Sequence, residues 1–375
     1  MRKAFLYRLY PTDAQARAAA GQLAFACELY NACLEERREA YLRVGKSLGY
    51  YDQANQLKDI RRIRPEFAAL NFSMLQATCR RVQRSFDAFF RRVKAGETPG
   101  YPRFRSSRRW DSITFPSYGD GCKRIGKRLY LQGIGHLKVK LHRPIEGTIK
   151  TVTLKRSCGH WYVCFSCDLG DVQAAPSRNP AVGIDMGLKA FIVTSEGEQV
   201  APPKLYRKAQ AHLRRAARRV ARRKQGGKRR KQAVRVLAKV HRHVANQRKD
   251  FHHKTALALV RQSGLIAHED LNVRGIARTR LAKSTYDAGW AVFLAILAHK
   301  AAEAGVRVIA VNPRNTTQAC SGCGSLPQVR LTLADRVHTC SCGLTLDRDE
   351  NAARTIRALG LSVQVVTWPT GASVA

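Results

Sequence analysis

The sequence predicts a multidomain α+β protein, on three observations. Apolar residues recur at helical spacing across residues 11–95, fall into short strand-like runs across 101–169, and alternate between strand and helix patterns beyond residue 181. Composition breaks at Ala95-Gly96-Glu97-Thr98-Pro99-Gly100 and again over the polar Asp171–Pro180, as linkers do. The chain has 375 residues, enough for two or three domains, and its hydrophobic share of 45% is that of a globular protein.

Phe5, Tyr7 and Leu9 alternate through a strand over 2–10 that Pro11 closes. Thr12 is a natural N-cap for a helix to about Val44, in which Leu23, Cys27, Tyr30, Leu34 and Tyr41 share a face. A second helix is expected over Asp52–Arg64, stopped by Pro65, and a third over Ser73–Lys94. That third helix has an apolar stripe of Leu75, Val82, Phe86, Phe89 and Phe90, with Arg80, Arg81, Arg84, Arg91 and Arg92 on its other faces. The runs Ser112–Phe115, Leu129–Leu131, Leu137–Leu141, Thr148–Lys155 and Trp161–Leu169, separated by Gly and Pro turns, predict a small β-barrel or sheet. Cys164 and Cys167 look like a metal pair, but residues three apart on a strand face opposite ways, so buried structural thiols are expected.

Beyond residue 181, two apolar strands meet at Met186-Gly187. Lys204–Lys249 then holds 19 Lys and Arg and no Asp or Glu. Leu205, Leu213 and Val220 mark one thin apolar stripe and Val234, Leu237, Val240 and Val244 another, with Gly226-Gly227 between, which predicts a basic helical hairpin. A further helix over Phe251–Gln262, a short strand ending at Glu269, a helix over Trp290–Ala304 and a strand over Val306–Val311 follow. Leu361–Ala375 has no clear pattern and is expected to be a weakly ordered tail.

Charge bounds the partners. Lys and Arg number 67 against 27 Asp and Glu, a formal +40, spread through every segment. A polyanion is the physical counterpart, because neutralising phosphates releases condensed counterions. The apolar runs are far too short to span a bilayer, and the N-terminus lacks a signal-peptide pattern, so a cytoplasmic protein on nucleoid DNA, with no membrane partner, is expected. Eleven cysteines in that compartment favour metal or buried thiols over disulfides.

Three acids stand at the ends of elements: Asp185 after a strand, Glu269 after a later strand, Asp349 at the start of the last helix. In an RNase H-like sheet the first and fourth strands are neighbours and a later helix crosses their ends, so the three would converge. Three carboxylates in one place repel unless cations neutralise them. Two Mg2+ ions, roughly 3.5–4 Å apart, would do so and would suit phosphodiester hydrolysis. Just before Asp349, Cys320 and Cys323, then sixteen residues, then Cys340 and Cys342, with Gly324 and Gly343 behind each pair, make a four-thiolate set for one structural Zn2+. The second pair is one residue tighter than usual; Asp347 and His338 are poor substitutes.

The order GIDMGLKAFIVTS, IAHEDLNVRGIA, then TTQACSGCG…CSCGLTLDRDENAARTI resembles the TnpB family, transposon-encoded relatives of type V CRISPR effectors, across residues 181–356. The N-terminal half resembles it more loosely, through its basic helix and Gly100, Pro102, Arg103 and Phe104. The resemblance implies a split RuvC nuclease domain over 181–315 and 345–360, a zinc module over 316–344, a helical recognition domain over 11–95, a wedge-like β domain from 1–10 plus 96–172, and the tail 361–375. It implies that Asp185, Glu269 and Asp349 are catalytic, with Asp349 rather than Asp347 because it precedes x-Asn-Ala-Ala. It also implies a monomeric RNA-guided DNA endonuclease: RNA from the transposon end as guide, and a short target-adjacent motif read on duplex DNA, with one centre cutting both strands in turn. Gln76, Arg80 and Arg84 are candidates near that motif, and Arg214, Arg215, Arg218, Arg219, Arg222 and Arg223 for phosphate contact. Two alternatives share the core: a DNA-strand transferase, and a guide-directed repressor, which should have lost one or more of the acids, all three of which are present here.

Overall fold

The computed structural model describes residues 1–170, 179–332 and 334–366. The chain divides into two compact units, Met1–Val172 and Gln173–Ala375. Most of the linker expected over Asp171–Pro180 therefore lies outside the described residues.

In the first unit, strand β1 (Arg2–Tyr10) buries Phe5, Tyr7 and Leu9 by its two-residue alternation. Helix α1 (Asp13–Val44) starts with a Thr12–Gln15 capping box and ends at Gly45 with φ 64°, a left-handed turn that glycine adopts without Cβ strain. The single helix expected over Asp52–Arg64 is instead α2 (Tyr50–Asn55) and α3 (Leu57–Ile63). Gln53 of α2 and Gln56 at the break between the two helices are tied to α1 separately: Gln53 Nε2 donates to the Cys33 carbonyl at 2.7 Å, and Gln56 Nε2 to Glu36 Oε1 at 2.6 Å. Pro65 opens the short α4 (Pro65–Ala68), and Asn71 caps α5 (Phe72–Lys94).

Six strands follow: β2 (Ser112–Phe115), β3 (Cys122–Ile125), β4 (Arg128–Leu131), β5 (Gly135–Lys140), β6 (Thr148–Ser157) and β7 (His160–Asp168). With β1 they form one antiparallel sheet in the order β2-β6-β7-β1-β5-β4-β3. Among the described residues no ladder joins β2 to β3, so the expected barrel is an open sheet. Strand β1 holds the middle, pairing along Arg2–Leu9 with β7 and through Arg8–Tyr10 with β5. Its inward residues share one core with Leu23, Leu34, Met74 and Leu75 of the helices and Phe115 and Phe165 of the sheet.

The second unit is built on strands β8 (Ala181–Asp185), β9 (Ile192–Thr194) and β10 (Gln199–Val200), helices α6 (Leu205–Ala221) and α7 (Lys228–Gln262), and strand β11 (Leu265–Glu269). It continues with α8 (Val273–Ile276), α9 (Ala282–Ala288), α10 (Trp290–Ala304) and β12 (Arg307–Val311), a two-stranded ribbon β13 (Val337–Thr339) and β14 (Thr345–Asp347), and α11 (Arg348–Val366). The five-stranded sheet runs β10-β9-β8-β11-β12, with β8, β11 and β12 parallel. Both its faces are covered, as parallel strands require. Val182, Ile184 and Ile266 pack against Ala256 and Leu259 of α7 and Phe293 and Leu297 of α10. Leu265 and Ala267 pack on the other side with Ile356 of α11.

Helix α11 comes unusually near the sheet. A Cβ on Gly183 would lie 2.0 Å from the Ala353 carbonyl oxygen, and one on Gly360 would lie 2.5 Å from the Ala267 Cβ. Two glycines thus let helix and strand backbones touch, one on each partner. This docking corrects the expected tail: α11 continues through Val366, and of that tail residues 367–375 fall outside the described chain. No helix among the described residues is long and apolar enough to cross a membrane.

Candidate functional site

Period-two geometry decides where the first two carboxylates go. On β8, Val182 and Ile184 face α7 and α10, so Gly183 and Asp185 face α11. On β11, Ile266 faces α7 and α10, so Leu265, Ala267 and Glu269 face α11. The two strands are parallel, with Ile184 paired to His268, so both acids stand at the same carboxyl end of the sheet. Helix α11 begins at Arg348, and its first turn brings Asp349 to that end.

The structure brings Glu269 and Asp349 close enough to Asp185 for their charges to act on it, while the four cysteines alone, among the described residues, form a group with all ligand atoms within 4.8 Å of one another. Asp185 is 9% exposed and Glu269 7%. Burial, then the charges of Glu269 and Asp349, push the Asp185 carboxyl up to about 7; the Arg348 guanidinium and the Met186 backbone N–H oppose the rise. Burial also raises Glu269, against a hydrogen bond from the Thr316 hydroxyl to its Oε1. Asp347, the other acid of the motif, has a different task. Its Oδ1 accepts from the Asp349 backbone N–H at 2.9 Å and the Glu350 N–H at 3.4 Å, capping α11.

The cysteines form the second constellation. The Sγ atoms of Cys320, Cys323, Cys340 and Cys342 lie within 4.8 Å of one another, and the group includes neither His338 nor Asp347. Gly324 and Gly343 adopt φ 77° and 89°, turning the chain tightly behind each pair. The Gly322 N–H points at Cys320 Sγ at 3.4 Å. Four sulfurs that can converge as thiolates are the donor set zinc takes, so the tighter second pair is no obstacle to the cluster holding a zinc ion. Cys164 and Cys167 stay apart from any such group among the described residues; Cys167 is buried on one face of β7 and Cys164 half-buried on the other.

Three residues that the sequence reading missed tie these two sites together. Asn351 is fully buried; its Nδ2 donates to the Ala319 carbonyl at 2.8 Å and its Oδ1 accepts from the Ser321 N–H at 2.8 Å. The cysteine knuckle is thereby fastened to α11 half a turn beyond Asp349. Buried Arg348 donates from Nη1 to the carbonyls of Thr332 and Asp335, anchoring the cysteine segment from the other side. Thr316 steadies Glu269. A capping Asp followed by Asn four residues on is the local signal that could have marked Asn351; nothing local marks the other two.

The basic candidates fall into two groups. Arg214, Arg215, Arg218 and Arg219 on α6, and Arg222 and Arg223 just beyond its C-terminal end, are all exposed. The hairpin itself forms as expected, with one correction: α7 presents Ala233, Leu237, Val240 and Val244 inward, while Val234 is 45% exposed. Val234 lies one residue, about 100°, away from that stripe. On α5, Gln76, Arg80 and Arg84 recur at four-residue spacing along one face; Gln76 is half-buried and Arg80 stacks on Tyr50 at 4.5 Å. Arg81 is not part of the solvated basic side. It packs 4.1 Å over Trp110 and donates to the Ser112 carbonyl at 2.7 Å.

Against known proteins, residues 164–280 match the OrfB_IS605 family model, described as "Probable transposase", and residues 290–356 match a Cas12f1-like TNB domain. Residues 1–46, which here are β1, α1 and a short connection, match a helix-turn-helix domain model. A Streptomyces pristinaespiralis protein named "Putative RNA-guided DNA endonuclease" is 32% identical over 96% of this chain and 90% of its own. Escherichia coli K12 "Putative RNA-guided DNA endonuclease InsQ" is 26% identical over 96% and 93%. Among solved structures, the mini-RNA-guided endonuclease CRISPR-Cas_phi3 aligns with 99% of this chain and 93% of that one at TM-score 0.51 and 10% identity, a likeness of fold alone. Full-length identity at this level, with the OrfB model matching across β8 and β11, means that the chain belongs to the TnpB (IS605 OrfB) family.

Proposed function

We propose that this protein is an RNA-guided DNA endonuclease that cuts at Asp185, Glu269 and Asp349 in a RuvC-like, RNase H-like domain. The observation that carries the reading is that a chain of net charge +40 sets three carboxylates at one end of one sheet, two of them, Asp185 and Glu269, buried and the third, Asp349, half-buried. A cluster of that kind is costly for its own sake and fits a cationic ligand. Its donors are all carboxylate oxygens, which suit Mg2+. Two such ions, when bound, would stabilise charge on the attacking and leaving oxygens of a phosphodiester.

The chain's own residues do the rest. Thr316 fixes one oxygen of Glu269, Asp347 fixes the first turn of α11, and the zinc module, through Asn351, fixes the segment that enters it. Arg348 moderates the repulsion without forming an ion pair that would occupy Asp185. The exposed arginines of α6 hold phosphates of the guide RNA or its target. Gln76, Arg80 and Arg84 lie near the target-adjacent motif. In this reading the RuvC-like domain takes residues 181–315 with α11, the zinc module 316–344, the recognition domain 11–95, and the wedge-like domain 1–10 with 96–172.

The test is to purify the protein with its bound RNA, sequence that RNA, and offer a plasmid carrying the matching sequence with Mg2+. Guide-dependent linear product is expected. Joining of a donor end to the plasmid would indicate a strand transferase. Tight guided binding without any cut would indicate a repressor.

A further inference from the structure

Helix α9, which follows Glu269, carries an aromatic ring that neither the fold nor the carboxylate cluster uses. Tyr286 is 67% exposed. It lines two hollows of about 520 and 430 Å³ that also share Ala245 and Arg248. One exposed ring is unremarkable; its surroundings are not. Lys283 lines the first hollow and Lys249 the second. The only carboxylate among the lining residues, Asp287, is already committed. It accepts from the backbone N–H groups of Tyr206 and Arg207 at 2.8 and 3.2 Å and from Arg248 Nη2 at 3.3 Å. The hollows are thus left cationic around an aromatic platform.

A second observation points to a ligand with a polar edge. Three residues lining the second hollow have buried nitrogens without a hydrogen-bond partner: Arg248 Nε, Trp290 Nε1 and His252 Nδ1. His252 is 1% exposed and bonds through Nε2 to the Ala288 carbonyl at 2.8 Å. In the neutral ring that burial favours, Nε2 is the donor and Nδ1 an unused acceptor. Two spare donors and one spare acceptor beside an open ring suit a nucleobase, which brings both kinds of group. The position supplies the source. A third, smaller hollow is lined both by Gly187 and Leu188, just beyond Asp185, and by Asp287 and Ala288, just beyond Tyr286. The groove therefore abuts the loop that leaves the carboxylate cluster.

We propose that this groove holds an unpaired stretch of the DNA strand to be cut, with one base stacked on Tyr286 and flanking phosphates on Lys249 and Lys283. The inference rests on the nuclease reading and assigns that site a single-strand subsite. Aromatic faces take any base, so the subsite confers grip without sequence preference.

The experiment measures binding of a short labelled single-stranded DNA to the full chain across a salt series. Tyr286→Ala should weaken it roughly 5- to 150-fold, the range for losing one base–aromatic contact, with the salt slope unchanged. Tyr286→Phe should bind as wild type. An abasic strand of equal length should not distinguish Tyr286→Ala from wild type. Lys249→Gln with Lys283→Gln should flatten the salt slope by about 1.4, at about 0.7 for each single-strand phosphate. Unaltered affinity for Tyr286→Ala with unchanged melting temperature, or an equal loss on the abasic strand, overturns the stacking role. A loss confined to an RNA oligonucleotide overturns the assignment to DNA. Failure of the nuclease reading would appear separately, as absence of guide-dependent plasmid cutting by the wild type.

Discussion

Two charged regions of the second unit follow opposite rules. The carboxylates Asp185 and Glu269 are buried, and Asp185 is raised to about 7 by that burial and by its acidic neighbours. The arginines of α6 and its C-terminal end crowd together as like charges too, yet all six lie in water. Repulsion among exposed cations is weak and screened, whereas repulsion among buried anions is not. The difference teaches where ligand dependence should lie. In the proposed reading the acidic cluster needs a cation and serves chemistry, whereas the basic face needs none and serves affinity.

The sharpest way to break this comparison is to remove one acid. Asp185→Ala, Glu269→Ala and Asp349→Ala should each slow cleavage by on the order of a thousandfold or more, the scale of losing one charge-stabilising group. Guided DNA binding should stay near wild type, since basic groups hold the polyanion. Brisk cutting by Asp349→Ala would move the third carboxylate to Asp347, against the capping role seen here.

The complementary change acts on affinity alone. Replacing Arg214, Arg215, Arg218, Arg219, Arg222 and Arg223 by Gln should weaken nucleic-acid binding most at low salt. If four of them contact phosphates, the slope of log K against log salt should flatten by roughly three to four units. Preference for the target-adjacent motif should not change. Superimposable slopes for the two proteins would leave α6 as a solvated face.

A third substitution asks whether the acidic region depends on the cysteines. Cys320→Ser with Cys340→Ser should abolish a content of one zinc per chain by elemental analysis. Through Asn351 it should also loosen the first turn of α11, so cutting should fall while α6-dependent binding persists. Normal zinc in that double variant would refute the ligand set.

The smallest expected effect is a slope in stability. Asp185 titrates near 7 when folded and near 3.9 when unfolded. Its contribution is therefore fully present below about pH 4 and is lost as pH rises toward 7. Between pH 5 and 8 the magnesium-free wild type should lose up to about 3 kcal/mol relative to Asp185→Asn. Mg2+ should restore stability at pH 8 more than at pH 5, because protons compete for the same oxygens. A wild-type-minus-variant difference that stays flat across that range would mean the cluster is better compensated than its burial implies.

What was legible in the sequence was local. Thr12 and Gln15 announced the start of α1, Asn71 the start of α5, and the alternation of Phe5, Tyr7 and Leu9 the buried face of β1, because caps and periodicities are properties of a few neighbouring residues. The strand ends at Asp185 and Glu269, and the cysteine spacing, could be read for the same reason. Their meeting could only be expected, since it depends on which faces dock. Tertiary structure alone decided that Gly183 and Gly360 would let α11 lie against the sheet, and with that contact a segment lacking any pattern became helix through Val366. It decided too that Asp347 caps while Asp349 faces Asp185, and that Arg81 is half-buried against Trp110 while Arg84 stays in water. In each case identical side chains in near-identical local sequence were separated by a packing partner far along the chain, and periodicity carries no information about that partner.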